Sequence, residues 1–148
     1  MRIRPGEGVD GVALGQRRED VEAALGHPDS VRGTRAFHHS SPPSVVVDYD
    51  DSGTVELIEV PAPDDPEHPV LLDDVVLTGR ALDEVRADLE AVGHTGRDSD
   101  IGVDYPSGFA IWSMGSRTLA NVDPSADADD DRAVVEGVSV ARPSYFGF

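Results

Sequence analysis

The chain of 148 residues contains no cysteine, which removes disulfides, zinc–thiolate sites and thiol nucleophiles together and leaves the core to fold without staples. Lysine is missing as well: the twelve cationic side chains are all arginine, against 29 Asp and Glu, and the formal net charge is −17. A protein that holds phosphates needs a cationic footprint, and a field of this sign repels a nucleic-acid backbone, so nucleic acid is not an expected partner. Aromatic residues make up 5% and hydrophobic residues 39% of the chain. The longest apolar runs, Val45-Val46-Val47 and Val70-Leu71-Leu72, fall far short of the ~20 residues of a membrane span, so no membrane association is expected. The first eight residues carry Arg2 and Arg4 but no apolar stretch, which predicts a cytoplasmic protein. The acid excess reads either as a GC-rich coding bias that replaces Lys by Arg or as adaptation to a salty cytoplasm; scattered arginine favours the first.

What is present is organised around residues 14–29. Gly15 opens a predicted helix there, Glu19 and Asp20 place negative charge in its first turn, Val21, Ala24 and Leu25 share one face, and Gly26 and Pro28 end it. The pattern returns with Gly79, Val85, Ala87 and Leu89 at the places of Gly15, Val21, Ala23 and Leu25. On the second helix Leu82, Val85, Leu89 and Val92 keep helical spacing before Gly93. After the first helix a short strand is expected within 30–39, broken by Ser40-Ser41-Pro42-Pro43. Strands 44–50 and 54–60 follow, joined through Asp50-Asp51-Ser52-Gly53, a hairpin signal with Asp at the entry and Gly where φ > 0 is needed. The Pro- and Asp-rich run 61–69 reads as a linker. Beyond it a strand is expected over 70–77, then the second helix, then Val103-Asp104-Tyr105…Ser107-Gly108, an echo of Val47-Asp48-Tyr49…Ser52-Gly53. Strands 109–114 and 132–142, an acidic mobile loop 121–131 between them, and an apolar tail 143–148 tucked onto the fold complete the reading.

The segment Gly15…Val21…Leu25-Gly26-His27-Pro28 resembles the Gly-Met-Thr…Val…Leu-Gly-x-Pro segment of the SmpA/OmlA lipoproteins. Two such units in tandem look like the β-lactamase inhibitor protein family. The resemblance implies a helix packed on an antiparallel sheet, repeated, with the free sheet face holding a protein partner. This chain departs from the family in having Arg17 and Ala81 where an N-capping Thr or Ser is expected, and it carries neither a lipobox nor a cysteine pair.

Catalytic signatures are sparse. His27, His38, His39, His68 and His94 form no pair that places two imidazoles on one helix face, and His38-His39 in a strand would point to opposite sides; exposed or turn histidines are the expected reading. Asp127, Asp129 and Asp131 imitate a calcium loop, yet Arg132 stands where Gly must turn and Val138 where a bidentate Glu is required. Neither a metal nor a cofactor is expected, and adjacent acids such as Asp64-Asp65 and Asp73-Asp74 carry no information in so acidic a chain. Strand parity sends Val45, Val47 and Tyr49 inward and Asp48 and Asp50 outward; likewise Phe109 and Ile111 go inward and Trp112 outward.

The expected molecule is therefore an α+β single domain, 1–148. Two tandem half-repeats, about 9–61 and 72–148, each pack a helix on an antiparallel sheet, with both helices on one sheet face. Its expected role is non-catalytic binding of a protein with a basic surface, of the inhibitor or immunity type, through Trp112, Asp48, Asp104, Asp50 and Asp51 on the open face. The alternative is a small-ligand module or carboxylate-based hydrolase with its site between the halves. Charge alone predicts that the melting temperature rises as salt goes from a few tens of millimolar to ~0.5 M, because screening relieves self-repulsion. A flat or falling melting curve over that range would remove repulsion as an important contribution.

Overall fold

A computed structural model describes residues 1–40 and 43–148; Ser41 and Pro42, in the expected break after the first strand, lie outside the described residues. The chain opens with a small three-stranded sheet, β1 (Ile3–Arg4), β2 (Gly8–Val9) and β3 (Val12–Ala13). Helix α1 (Arg18–Leu25) is followed by strands β4 (Ser30–Arg32), β5 (Arg35–His38), β6 (Val45–Tyr49) and β7 (Val55–Pro61). A short hairpin, β8 (Leu71–Leu72) and β9 (Val75–Val76), leads to helix α2 (Leu82–Ala91). Then come β10 (Arg97–Asp98), β11 (Gly102–Tyr105), β12 (Phe109–Trp112), helix α3 (Leu119–Val122), β13 (Gly137–Ala141) and a 3-10 turn, Pro143–Phe146.

Eight of these strands form one antiparallel sheet in the order β10-β11-β12-β13-β7-β6-β5-β4. Each long helix is thus followed by four strands in meander order, and the two meanders meet where β7 pairs with β13. In that pairing Val60 faces Val138, Glu59 faces Ser139 and Ile58 faces Val140. The apolar residues of the pair, Ile58, Val60, Val138 and Val140, are all fully buried. They share a face with Val47, Ile111, Tyr105 and Phe109 through the cross-strand register, and one core cluster joins them to Val21 of α1 and to Val85 and Leu89 of α2. Both long helices therefore cover the same face.

Neither helix start has a side-chain cap, and Arg17 and Ala81 occupy the capping positions. The residue before each helix pairs with a strand segment, Arg17 with Thr54 and Ala81 with Val134, and at α2 one free first-turn amide is satisfied by the backbone, Leu82 donating to the Ala133 carbonyl at 2.8 Å. Acids in the first turns, Glu19 and Asp20 in α1 and Asp83 and Glu84 in α2, complement the helix dipoles.

Several expectations are corrected. Ala24 is exposed rather than on the buried face, because α1 is only eight residues long and meets the core through Val21 and part of Leu25. Val92 lies past the end of α2 and is 55% exposed. The expected strand in 30–39 is a hairpin of β4 and β5 turning at Gly33 (φ 60°). The expected strand 70–77 also folds back, with Asp73 at φ 51°, a conformation Asp tolerates better than most residues. The last strand is shorter than 132–142, and the acidic stretch before it is not wholly irregular. Thr118 and Asn121 form a capping box for α3, and Leu119 packs with Ala81 and Val134 in a small second cluster. The echo of Val47-Asp48-Tyr49 in Val103-Asp104-Tyr105 does not join equivalent strands: Asp48 is on the third strand after α1, Asp104 on the second after α2.

His38 also departs from the expectation of exposed histidines. It lies on the helix-covered side of β5, 7% exposed, and neither ring nitrogen has a hydrogen-bond partner. Burial pushes its pKa below the ordinary value of 6.5, against the charges of Asp29 and Glu22 and with a small push from His39. The fold prefers the neutral ring, so the stability this preference contributes is complete above pH 6.5 and is lost as the pH falls below it. Unfolding free energy measured between about pH 7.5 and 5 is expected to fall on the acid side, and to fall less in His38→Phe. An equally steep fall in that variant would assign the dependence to other groups.

Candidate functional site

The outer face of the sheet is the surface that strand parity assigned to Asp48, Asp104 and Trp112, and all three side chains lie on it half-buried. Trp112 pairs across the strands with Gly137, and its indole lies flat over that glycine: a Cβ at Gly137 would stand 2.0 Å from the ring carbon Cζ2. The indole N–H donates to Ser139 Oγ at 3.1 Å, which fixes the ring along β13. On its other side Trp112 pairs with Gly102. The indole thus sits in a row whose neighbouring positions on β11 and β13 carry no side chain.

The next row reads Ser30, Phe37, Val46, Glu59, Ser139, Ala110, Asp104 and Arg97 across all eight strands. Burial pushes the Asp104 carboxyl above the usual range, and the Arg97 charge opposes it. Glu59 pairs with Arg35 at 2.8 Å, and Asp48 accepts from the Thr34 hydroxyl at 2.6 Å. The tail crosses this face: Arg97 donates to the Phe146 carbonyl at 2.6 Å and lies 4.2 Å above the Phe148 ring. Tyr145 sits near Asp48, Glu56 and Glu59, and its hydroxyl is pushed up first by burial and then by those charges.

Two of the expected partner-binding residues stand apart. Asp50 closes the hairpin between β6 and β7, accepting from the Ser52 and Thr54 amides at 2.9 and 3.0 Å and from the Thr54 hydroxyl at 2.7 Å. Those bonds hold its carboxyl below the usual carboxylate range. Asp51 is exposed in the same turn. Sequence spacing does not single out Ser139, Gly137 or Glu59, and it marks the tail 143–148 only as an apolar segment packed on the fold. Glu59 was legible in the alternation of β7, whereas the Trp112–Gly137 seat requires the register of β12 on β13.

Away from this face, a cleft of about 500 Å³ opens between the 61–69 linker, α3 and the start of α2, lined in part by Pro63, Val76, Thr78, Arg117, Val134 and Glu136. Arg117 and Asp64 form an ion pair of 2.9 Å at this cleft. Burial pushes the Glu136 carboxyl up, but bonds from the Ser113 hydroxyl and the Ser116 and Met114 amides outweigh it and hold it below its ordinary range. An anchored carboxylate of this kind is an acceptor, not a proton donor. A second cleft of about 270 Å³ is lined by Leu14, Asp50, Thr54, Glu56, Arg142 and Tyr145, among others.

The molecule is a mixed α+β protein built largely on antiparallel sheet, and among the described residues no helix is long and apolar enough to cross a membrane. It is similar in fold to the crystal structure of a DUF4309 family protein (YjgB) from Bacillus subtilis subsp. subtilis str. 168, with a TM-score of 0.55 at 18% identity over 93% of this chain and 88% of that one. No family model and no curated protein matches the sequence.

The seat of the indole makes a direct spectroscopic prediction. Gly137→Ala must displace the ring, so the emission of this single tryptophan is expected to move to the red and acrylamide quenching to increase, with far-UV circular dichroism retained. An unchanged spectrum would mean that the indole does not rest on Gly137.

Proposed function

We propose that this protein is a non-catalytic binding module whose outer sheet face docks a protein partner with a basic surface. The observation that carries the reading is the distribution of its few aromatic residues. Of four Phe, three Tyr and one Trp, five (Phe37, Trp112, Tyr145, Phe146 and Phe148) lie on the outer side and are partly or largely exposed, while Tyr49, Tyr105 and Phe109 are buried beneath the helices. Rigid aromatic surface concentrates binding energy, and the neighbouring Asp48, Glu59 and Asp104 supply the charge that attracts a cationic partner. An inhibitor or immunity-type role is compatible with such a face.

We further read the two halves as a tandem repeat about an axis through the Glu59–Ser139 pair. Support comes from matched bridges, Arg17 to Thr54 and Ala81 to Val134, and from matched pairs, Val47 to Ile58 and Ile111 to Val138. In this alignment Asp48 corresponds to Trp112 and His38 to Tyr105. The two clefts also correspond, Leu14, Thr54 and Glu56 of one answering to Thr78, Val134 and Glu136 of the other. The larger cleft favours a second reading, a small-ligand site, on its volume.

Partner binding separates the two. Trp112→Ala is expected to weaken partner binding by ~2 kcal/mol or more, and Asp104→Asn to slow association and flatten its salt dependence. Arg117→Ala, in the cleft, is expected to leave both unchanged. The opposite pattern, with loss at Arg117 and none at Trp112, would favour the cleft.

A further inference from the structure

Arginine is already the companion of exposed rings in this molecule. Arg35 lies 5.9 Å from the Phe37 ring centroid and Arg97 lies 4.2 Å from that of Phe148, both on the outer face; beneath the helices Arg18 lies 4.5 Å from Tyr49. Trp112 has the strongest π-face of these and, among the described residues, no guanidinium over it. The reason is visible in the strands. Beside Asp48 on β6 stands Arg35, but at the corresponding place beside Trp112 stands Gly102. One ring face is taken up by Gly137, the N–H is held by Ser139, and the opposite ring face is left without a cation of its own.

We infer that the open face of the Trp112 indole is a seat for an arginine side chain of the partner, stacked on the ring and flanked by Asp104 and Glu59 in the adjoining row of the sheet. This inference rests on the outer face being the docking surface. The chemistry selects arginine over lysine. A planar, weakly hydrated guanidinium lies flat on a flat indole and still presents in-plane N–H donors to carboxylates, whereas an ammonium is a compact, strongly hydrated charge. The seat is also preformed: the hydrogen bond to Ser139 and the missing Cβ at Gly137 hold the ring in place, which lowers the ordering cost of binding.

The test uses the whole chain and three probes of one length, acetyl-Arg-Gly-Arg-Gly-Arg-amide, its lysine counterpart and its citrulline counterpart. Binding is followed at low salt by indole fluorescence and by amide and indole N–H chemical shifts. The arginine peptide is expected to shift the Trp112 indole N–H and the Gly102, Gly137 and Ser139 amides. It is expected to bind at least about fivefold more tightly than the lysine peptide and far more tightly than the uncharged citrulline one, a margin within the range of a stacked cation. Trp112→Leu is expected to reduce arginine and lysine peptides to equal affinity. Outer-face shifts with equal affinity for arginine and lysine in the unmodified protein would overturn the seat while leaving the docking face standing, and that comparison does not depend on any variant folding. Shifts confined to other surfaces would overturn both.

Discussion

The antiparallel pairing of β7 with β13 is the contact on which the rest of the structure depends. Among the described residues it is the one place where the strands that follow α1 meet the strands that follow α2 within the large sheet. Its register is symmetric about Glu59 and Ser139, so Val60 meets Val138 on one side and Ile58 meets Val140 on the other. All four side chains are fully buried, and burying an aliphatic side chain of this size is worth roughly 1.5–3 kcal/mol. With no disulfide available, that apolar seam and the backbone ladder through it hold the two meanders in one sheet.

Once the seam is set, alternation does the rest. Every residue pointing with Ile58 and Val138 is committed to the helices, and every residue pointing with Glu59 and Ser139 is committed to the opposite face. Neither long helix covers the second face, and the partly exposed aromatics lie there. A tail that crosses that face, tied by Arg97 to Phe146 and Phe148, covers part of it. Two polar rings lie buried on the helix-covered side: burial pushes the Tyr105 hydroxyl up to about 12 and pushes the His38 imidazole below its ordinary value. His38 is thus a group whose charging opposes the fold at mildly acid pH.

Much of this arrangement was legible in the chain because it follows from period. The 3.6-residue spacing of Val21 with Leu25 and of Val85 with Leu89 announced the helices, and the two-residue alternation through Val45, Val47 and Tyr49 assigned Asp48 its side. The hairpin at Asp50–Gly53 followed from turn chemistry. What failed was long-range register. A shared Val-Asp-Tyr suggested that Asp48 and Asp104 were equivalent, but three residues cannot specify which of four strands they occupy. The short reversals at Gly33 and Asp73 do not show in the alternation, because apolar residues stand on both sides of each turn, Val31 and Ala36 about the first and Leu72 and Val75 about the second. The Trp112 seat was half visible: parity aimed the indole outward, while the glycine beneath it is 25 residues away and is reached only through β12 pairing with β13.

Native-state hydrogen exchange under increasing denaturant tests this account most directly. If the seam joins both halves into one unit, the amides of Ile58 and Val60 in β7 and of Val138 and Val140 in β13 will exchange most slowly. They will also share one limiting free energy, equal to that of global unfolding. Two separate limits, one for the strands after α1 and another for the strands after α2, would contradict it, because the outer face would then be two surfaces that meet without being held together.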